Sequence, residues 1–305
     1  MKKLVALSLV LSVSAVAAEQ QLGDLNFIQK SSSILLDTGI NYNQNSNGGT
    51  KTTGISLDNK FTYGVSDRFN TGLSLAYMFS YKSKTSAGSS DNETALSDVT
   101  LNNQYRLGQT SDGLVIDLLT DLRISTKERE INGDAMLPVN EGRHSLNLGL
   151  NLGRKTSGFE WRTKAAIKYN HETEYTNANN EDFENSQDSA LDASIGADFQ
   201  WTMSEKLAVG VGYDLSYFGT RIDYREDTGP VDKEFRQDPY STMTLRTFAV
   251  FNLSESAILN LRISYSPSAV IDTQETNVTN LNGVVRTESK TGNNTSLFIG
   301  GKFLF

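Results

Sequence analysis

Ser296-Leu297-Phe298-Ile299-Gly300-Gly301-Lys302-Phe303-Leu304-Phe305 closes the chain. Leu297, Ile299, Phe303 and Phe305 share one parity, with Gly301 among them. Ser296, Phe298, Gly300, Lys302 and Leu304 share the other. Side chains of a strand alternate between its two faces. This period of two therefore predicts a β-strand with one mainly apolar face and one mixed face.

The opposite end narrows what that strand belongs to. Lys2 and Lys3 precede a short apolar run, Leu4 to Val13, and then the small-x-small pattern Ala15-Val16-Ala17. This is the layout of a secretory signal peptide, and the run is too short to span a bilayer as a helix. The expected division is a signal peptide over 1–17, cleaved after Ala17 or Ala18, a periplasmic N-terminal segment over 18–30, with folding back as a small plug as its alternative, and a transmembrane β-barrel over 31–305. With an exported chain in view, the ending gains meaning. A terminal Phe305, an aromatic Phe303 two before it and Gly300 five before the end resemble the C-terminal assembly signal of bacterial outer-membrane β-barrels. That resemblance implies the barrel-assembly machinery and periplasmic chaperones as partners, with outer-membrane lipids and lipopolysaccharide as surroundings.

Composition agrees. There is no Cys, so disulfides and thiolate metal sites are excluded. The formal charge is −8, and losing both signal lysines leaves 26 basic against 36 acidic residues. Such an acidic chain does not offer a nucleic-acid surface. No run of 18 apolar residues follows the signal, so no transmembrane helix is expected. A barrel suits the modest hydropathy, because only every second strand residue meets lipid.

Five short turns share one chemistry: Val65-Ser66-Asp67-Arg68, Thr110-Ser111-Asp112-Gly113, Lys155-Thr156-Ser157-Gly158, Met203-Ser204-Glu205-Lys206 and Leu253-Ser254-Glu255-Ser256. Ser, Asp and Gly favour tight turns through local hydrogen bonds or a permissive φ. Their serines at 66, 111, 157, 204 and 254 are spaced by 45, 46, 47 and 50 residues, so the repeating unit is a long β-hairpin. Six longer polar connections lie between them: Asn45 to Lys51, Lys84 to Ala95, Lys127 to Gly142, Thr176 to Asp188, Glu226 to Asp238 and Thr276 to Gly292. Short turns on one side and long loops on the other are the asymmetry of an outer-membrane barrel. The predicted fold is all-β: a twelve-stranded antiparallel barrel with periplasmic turns and extracellular loops.

Strand patterning assigns the faces. Leu146, Leu148, Leu150 and Leu152 alternate with Ser145, Asn147, Gly149, Asn151 and Gly153. Aromatic residues gather at the two ends of the strands, from Phe61, Tyr63, Phe159 and Trp201 near the turns to Tyr42, Tyr77, Phe79, Tyr81 and Tyr169 near the loops. These are read as two interfacial girdles.

The hairpin Tyr63-Gly64-Val65-Ser66-Asp67-Arg68-Phe69-Asn70-Thr71-Gly72-Leu73-Ser74-Leu75-Ala76-Tyr77 is followed by Leu96-Ser97-Asp98-Val99-Thr100-Leu101-Asn102-Asn103-Gln104-Tyr105-Arg106-Leu107. Together, over about 45 residues, they resemble the outer-membrane family of transporters and meta-pathway phenol-degradation proteins. Ser97 stands where that family has glycine, and Ala76 where it has proline. The resemblance implies passage of small molecules, including hydrophobic ones, across the outer membrane.

The inward parity collects Asp37, Asp58, Lys60, Asp98, Arg106, Asp117, Asp121, Arg123, Glu160, Arg162, Lys164, Lys168, Asp192, Asp198, Asp214, Arg246, Arg262 and Lys302. These, apart from Asp37 and Lys302, are the candidate pore-lining residues. Arg162, Lys164 and Lys168 form a basic stripe; Asp117 with Asp121, and Asp192 with Asp198, form acidic pairs. Opposed charges of this kind set a transverse field that selects ions and polar solutes. The expected function is a channel for small solutes. The alternatives are a barrel closed by its own ion pairs that serves structure or adhesion, and, below it, a surface lipid hydrolase or protease. His144 is followed directly by Ser145, and consecutive strand residues point to opposite faces, which separates them as a catalytic pair. His171 stands near Glu172 and Glu174 at the outer rim. The acidic loop Asn177 to Asp188 lacks the spacing of a calcium-binding loop. No catalytic residue, metal site or cofactor is expected.

Overall fold

The computed structural model describes residues 21–85, 88–89, 94–125, 142–177, 180–225, 233–277 and 284–305. Twelve strands form one closed antiparallel barrel: β1 (Ile34–Asn47), β2 (Thr50–Ser66), β3 (Phe69–Thr85), β4 (Val99–Gln109), β5 (Leu114–Ile124), β6 (Ser145–Lys155), β7 (Phe159–Asn170), β8 (Ala190–Ser204), β9 (Leu207–Phe218), β10 (Tyr240–Ser254), β11 (Ala257–Ser266) and β12 (Asn293–Leu304). Each strand pairs with its sequence neighbours, and β12 closes the ring on β1, with Gly39 opposite Gly300 and Leu35 opposite Leu304. A closed ring leaves no unpaired wall edge, which is what a bilayer demands of strands.

Burial is inverted relative to a soluble domain. Leu150 is 51% exposed and Leu148 41%, whereas Asp117 is 1% and Asp198 2% exposed. Apolar side chains coat the outside and charged ones fill the inside, as the alternation predicts. The terminal strand obeys it too: Ile299, Phe303 and Phe305 face outward and Gly300 is buried.

The repeated serines have a physical cause. The Ser66, Ser204 and Ser254 hydroxyls each accept a hydrogen bond at 3.3 Å from the backbone N–H two residues on, at Arg68, Lys206 and Ser256. The same turn is thus built three times. In the next turn that role passes to Thr110, whose hydroxyl accepts the Leu114 backbone N–H at 3.1 Å and donates to the Asp112 carboxylate, with Gly113 at φ 85°.

Several connections differ from expectation. Asn45 to Lys51 is no loop: β1 and β2 run on to a two-residue turn at Gly48 and Gly49, whose φ values of 51° and 93° suit glycine. Residues 173–177 with 180–187, 221–225 with 233–237, and 270–277 with 284–290 are hairpins, and they pair side by side into one six-stranded sheet beyond the barrel. Water on both faces removes the apolar alternation that marks a wall strand, so these read as loops. The expected loop over Lys127 to Gly142 lies almost wholly outside the described residues, as do the signal peptide and part of Lys84 to Ala95. Tyr81 is a correction to the outer girdle, being only 8% exposed. The register slips between Ile55 and Ser56, so Phe79 is an extra residue in β3. Such a bulge flips the parity beyond it and turns Tyr81 inward.

Candidate functional site

Residues 21–30 lie inside the barrel wall. They fold against the inner face at the turn end of the barrel. Leu22 packs with Ala208, Val250 and Ile258 in a small apolar cluster bordered by Phe27, Leu35, Phe248 and Leu304. Polar contacts hold the rest. Glu160 of β7 accepts from the Leu25 and Asn26 backbone N–H groups at 2.8 and 2.9 Å and from the Asn26 side chain at 2.7 Å. Arg106 donates to the Asn26 carbonyl at 2.6 Å and Arg162 to the Leu25 carbonyl at 2.5 Å. Lys155 reaches Asp24 at 2.7 Å. Burial raises the Asp24 carboxyl above its ordinary range, while hydrogen bonds from Lys155 and the Gln21 N–H pull it the other way. Gln29 donates to the Thr62 carbonyl at 3.0 Å. Glycines make room for this close approach. Any side chain at Gly64 would strike the Lys30 carbonyl, and one at Gly153 would strike Asn26. Ser32, at φ 62°, then turns the chain into β1.

Above this floor lies a cavity of about 770 Å³. Gly23, Asp24 and Leu25 form part of its lining, so the N-terminal segment bounds it directly. Nine of the sequence-predicted residues line it: Asp58, Lys60, Asp98, Arg123, Arg162, Lys164, Asp198, Arg246 and Arg262. Asp37 and Lys302 do so as well. Seven cations therefore face five carboxylates around the cavity.

The charges are interleaved rather than set on opposite walls. Asp198 of β8 receives Arg162 at 2.8 Å, Lys164 at 3.4 Å and Arg246 at 2.5 Å. Asp214 binds Lys164 at 3.1 Å and also pairs with Arg246. The basic stripe of β7 is thus partly neutralised by the neighbouring strands. Asp98 binds Arg123 at 3.0 Å. Asp58 accepts from Ser56 at 2.7 Å and Asn41 at 3.3 Å.

The remaining predicted residues lie above or below the cavity or within the wall. Arg106 and Asp117 form a buried pair at 2.8 Å beside the N-terminal segment, and Glu160 anchors that segment. Asp121 accepts from Asn102 at 2.8 Å and Asn147 at 3.1 Å. Lys168 sits opposite Asp192 in register, and Asp192 binds Arg221 at 3.1 Å and Asn170 at 2.8 Å near the far end. The sequence reading leaves out Asp24 and Leu25, which have no period, and Phe248; it puts Phe298 on the mixed face but not among the pore-lining residues, although both aromatics line the cavity.

Among solved structures the chain is similar to an outer membrane channel from Pseudomonas putida F1, at a TM-score of 0.60 and 13% identity, covering 94% of this chain and 100% of that one. The chain has the fold of an outer-membrane β-barrel. The barrel also aligns with the β-domain of the Bordetella autotransporter BrkA (TM-score 0.48, 12% identity, covering 90% of this chain and 100% of that one) and with the Ralstonia pickettii toluene transporter TbuX (TM-score 0.40, 9% identity, covering 91% and 90%). No family model matches the sequence, and no curated protein matches it.

Outward aromatics gather at the ends of the barrel wall. Phe159 stacks on Phe199 at 6.4 Å and lies 5.5 Å from Trp201, beside the turn at Thr156. Phe69 and Tyr105 pair at 6.5 Å beside the next turn but one. Amphipathic and aromatic rings at this level suit the headgroup interface. His144 Nδ1 accepts the Ser125 backbone N–H at 3.1 Å, while Ser145 is buried on the inward face of β6. His171 Nδ1 lies 2.8 Å from the Glu172 carbonyl. Both rings are engaged by backbone near the rim.

Proposed function

We propose that the barrel is a channel for small solutes across the outer membrane, with residues 21–30 as a displaceable gate at its periplasmic mouth. The observation that carries this is a charged, water-compatible cavity of about 770 Å³ inside a lipid-coated wall, bounded at one end by a segment of the chain itself. A barrel that served only as a scaffold would need no such space. The fold shared with an outer membrane channel supports the same reading.

The gate is displaceable because polar contacts dominate its docking. Each hydrogen bond to the lumen wall exchanges with water, and such exchanges contribute about 1 kcal/mol net apiece. Leu22 and Ile28 are the main apolar anchors. The pore-lining role falls to the nine predicted residues that border the cavity, with Lys302 and Asp37. The C-terminal signal of Gly300, Phe303 and Phe305 serves recognition by the assembly machinery, its two rings facing outward, where another protein can reach them.

Seven cations against five carboxylates predict a mild preference for anions. Planar-bilayer recordings under a salt gradient should give a reversal potential on the anion side. Arg262→Glu should move it toward cation preference. A cation-selective current that Arg262→Glu leaves unchanged would remove these residues from the path.

A further inference from the structure

Three neighbouring strands place three inward side chains in one register row. Phe248 of β10 stands opposite Arg262 of β11, which stands opposite Phe298 of β12. All three line the cavity. The two rings are laid against glycine. A side chain on Gly210 would collide with the Phe248 ring, and one on Gly39 or Gly300 would come within 2.5 Å of the Phe298 ring. Each ring is thereby held against the wall beside the cavity. The Arg262 guanidinium lies 5.0 Å from the Phe298 ring centre.

Arg262 is exposed to the lumen, and among the described residues it forms no ion pair. The carboxylates that act on it from neighbouring elements are Asp37, Asp58 and Asp198, and Arg246 is the nearby cation. Those carboxylates have closer partners. Asp198 holds Arg162 and Arg246, Asp58 accepts from Ser56, and Asp37 faces Lys302 at 3.9 Å. Arg262 is thus a cation left over, framed by two aromatic side chains, in a cavity of the size that small ligands occupy.

We infer that this row is a subsite for a small organic carboxylate with an apolar body of about one ring. The guanidinium fork matches a carboxylate bidentately. The apolar body gains contact with Phe248 and Phe298, whose rings favour offset or edge-on neighbours. An inorganic anion uses only the first half of this arrangement, and a neutral aromatic only the second. The proposal deepens the channel reading and rests on the lumen being a solute path.

The test is isothermal titration calorimetry of the folded, heat-modifiable mature chain in detergent, with benzoate as the probe. Acetate and benzyl alcohol supply the head and the body separately. Benzoate should bind more tightly than either. Arg262→Gln and the double variant F248L/F298L should each weaken it by about tenfold or more. Equal binding of benzoate to wild type and Arg262→Gln, or of acetate and benzoate to wild type, would overturn the subsite. Calorimetry needs no conduction. Benzoate binding without single-channel current would keep the subsite and remove the channel; current without benzoate binding would do the reverse.

Discussion

Leu148→Lys should strongly reduce the yield of folded, heat-modifiable protein, whereas Asn147→Lys, one residue away, should fold. Leu148 lies near the middle of β6, flanked by Thr120 and Ile167 on the neighbouring strands, and is 41% exposed on the outer wall. A lysine at the bilayer midplane of a barrel costs about 2–4 kcal/mol. Asn147 points inward, where its amide donates to Asp121 at 3.1 Å. A lysine there keeps a donor beside the same carboxylate, in a lumen that already holds many charges. Detergent-to-bilayer folding yields, read by heat modifiability on a gel, separate the two. Equal yields would contradict the face assignment of the whole barrel.

Asp198→Ala should lower barrel stability by about 3 kcal/mol, the low end of the range for breaking a buried pair. The carboxylate is 2% exposed and is shared by Arg162, Lys164 and Arg246. Its removal leaves these cations facing one another, with Asp214 still bound to Lys164 and Arg246. The cations are 12–28% exposed, so lumen water relieves part of the repulsion and keeps the loss from being larger. The temperature at which heat modifiability is lost should fall. Asp198→Asn should lose less, because the amide oxygen still accepts a hydrogen bond. Identical behaviour of the two variants and wild type would show that the network adds nothing to stability.

The wall was legible because lipid and lumen impose opposite chemistry on alternate residues. That rule placed Leu146 to Leu152 outside and Asn147 and Asn151 inside. It also placed Asp198 and Arg162 on one face, although their contact follows from β7 and β8 being neighbours in register. Where the rule has no grip, the sequence was silent. Residues 21–30 carry no period, because they follow no regular strand and answer to scattered wall groups such as Glu160, Arg106 and Gly64. The three outer hairpins meet water on both faces and lose the alternation that would mark them. Tyr81 was misplaced because one bulge residue, Phe79, shifts the parity beyond it. Phe298 was counted with the inward face, but an aromatic in a polar lumen has no signature by itself. Its place beside Arg262 emerged only with the β11–β12 register.

The measurement that bears most directly on the gated channel is single-channel current through the mature chain, before and after Glu160→Ala. Glu160 holds the Leu25 and Asn26 backbone and the Asn26 side chain, so its loss removes three contacts of the gate and leaves the lipid face untouched. Wild type should show brief, discrete openings, and Glu160→Ala should show longer and larger ones. A correctly folded barrel that passes no current in either form would contradict the account.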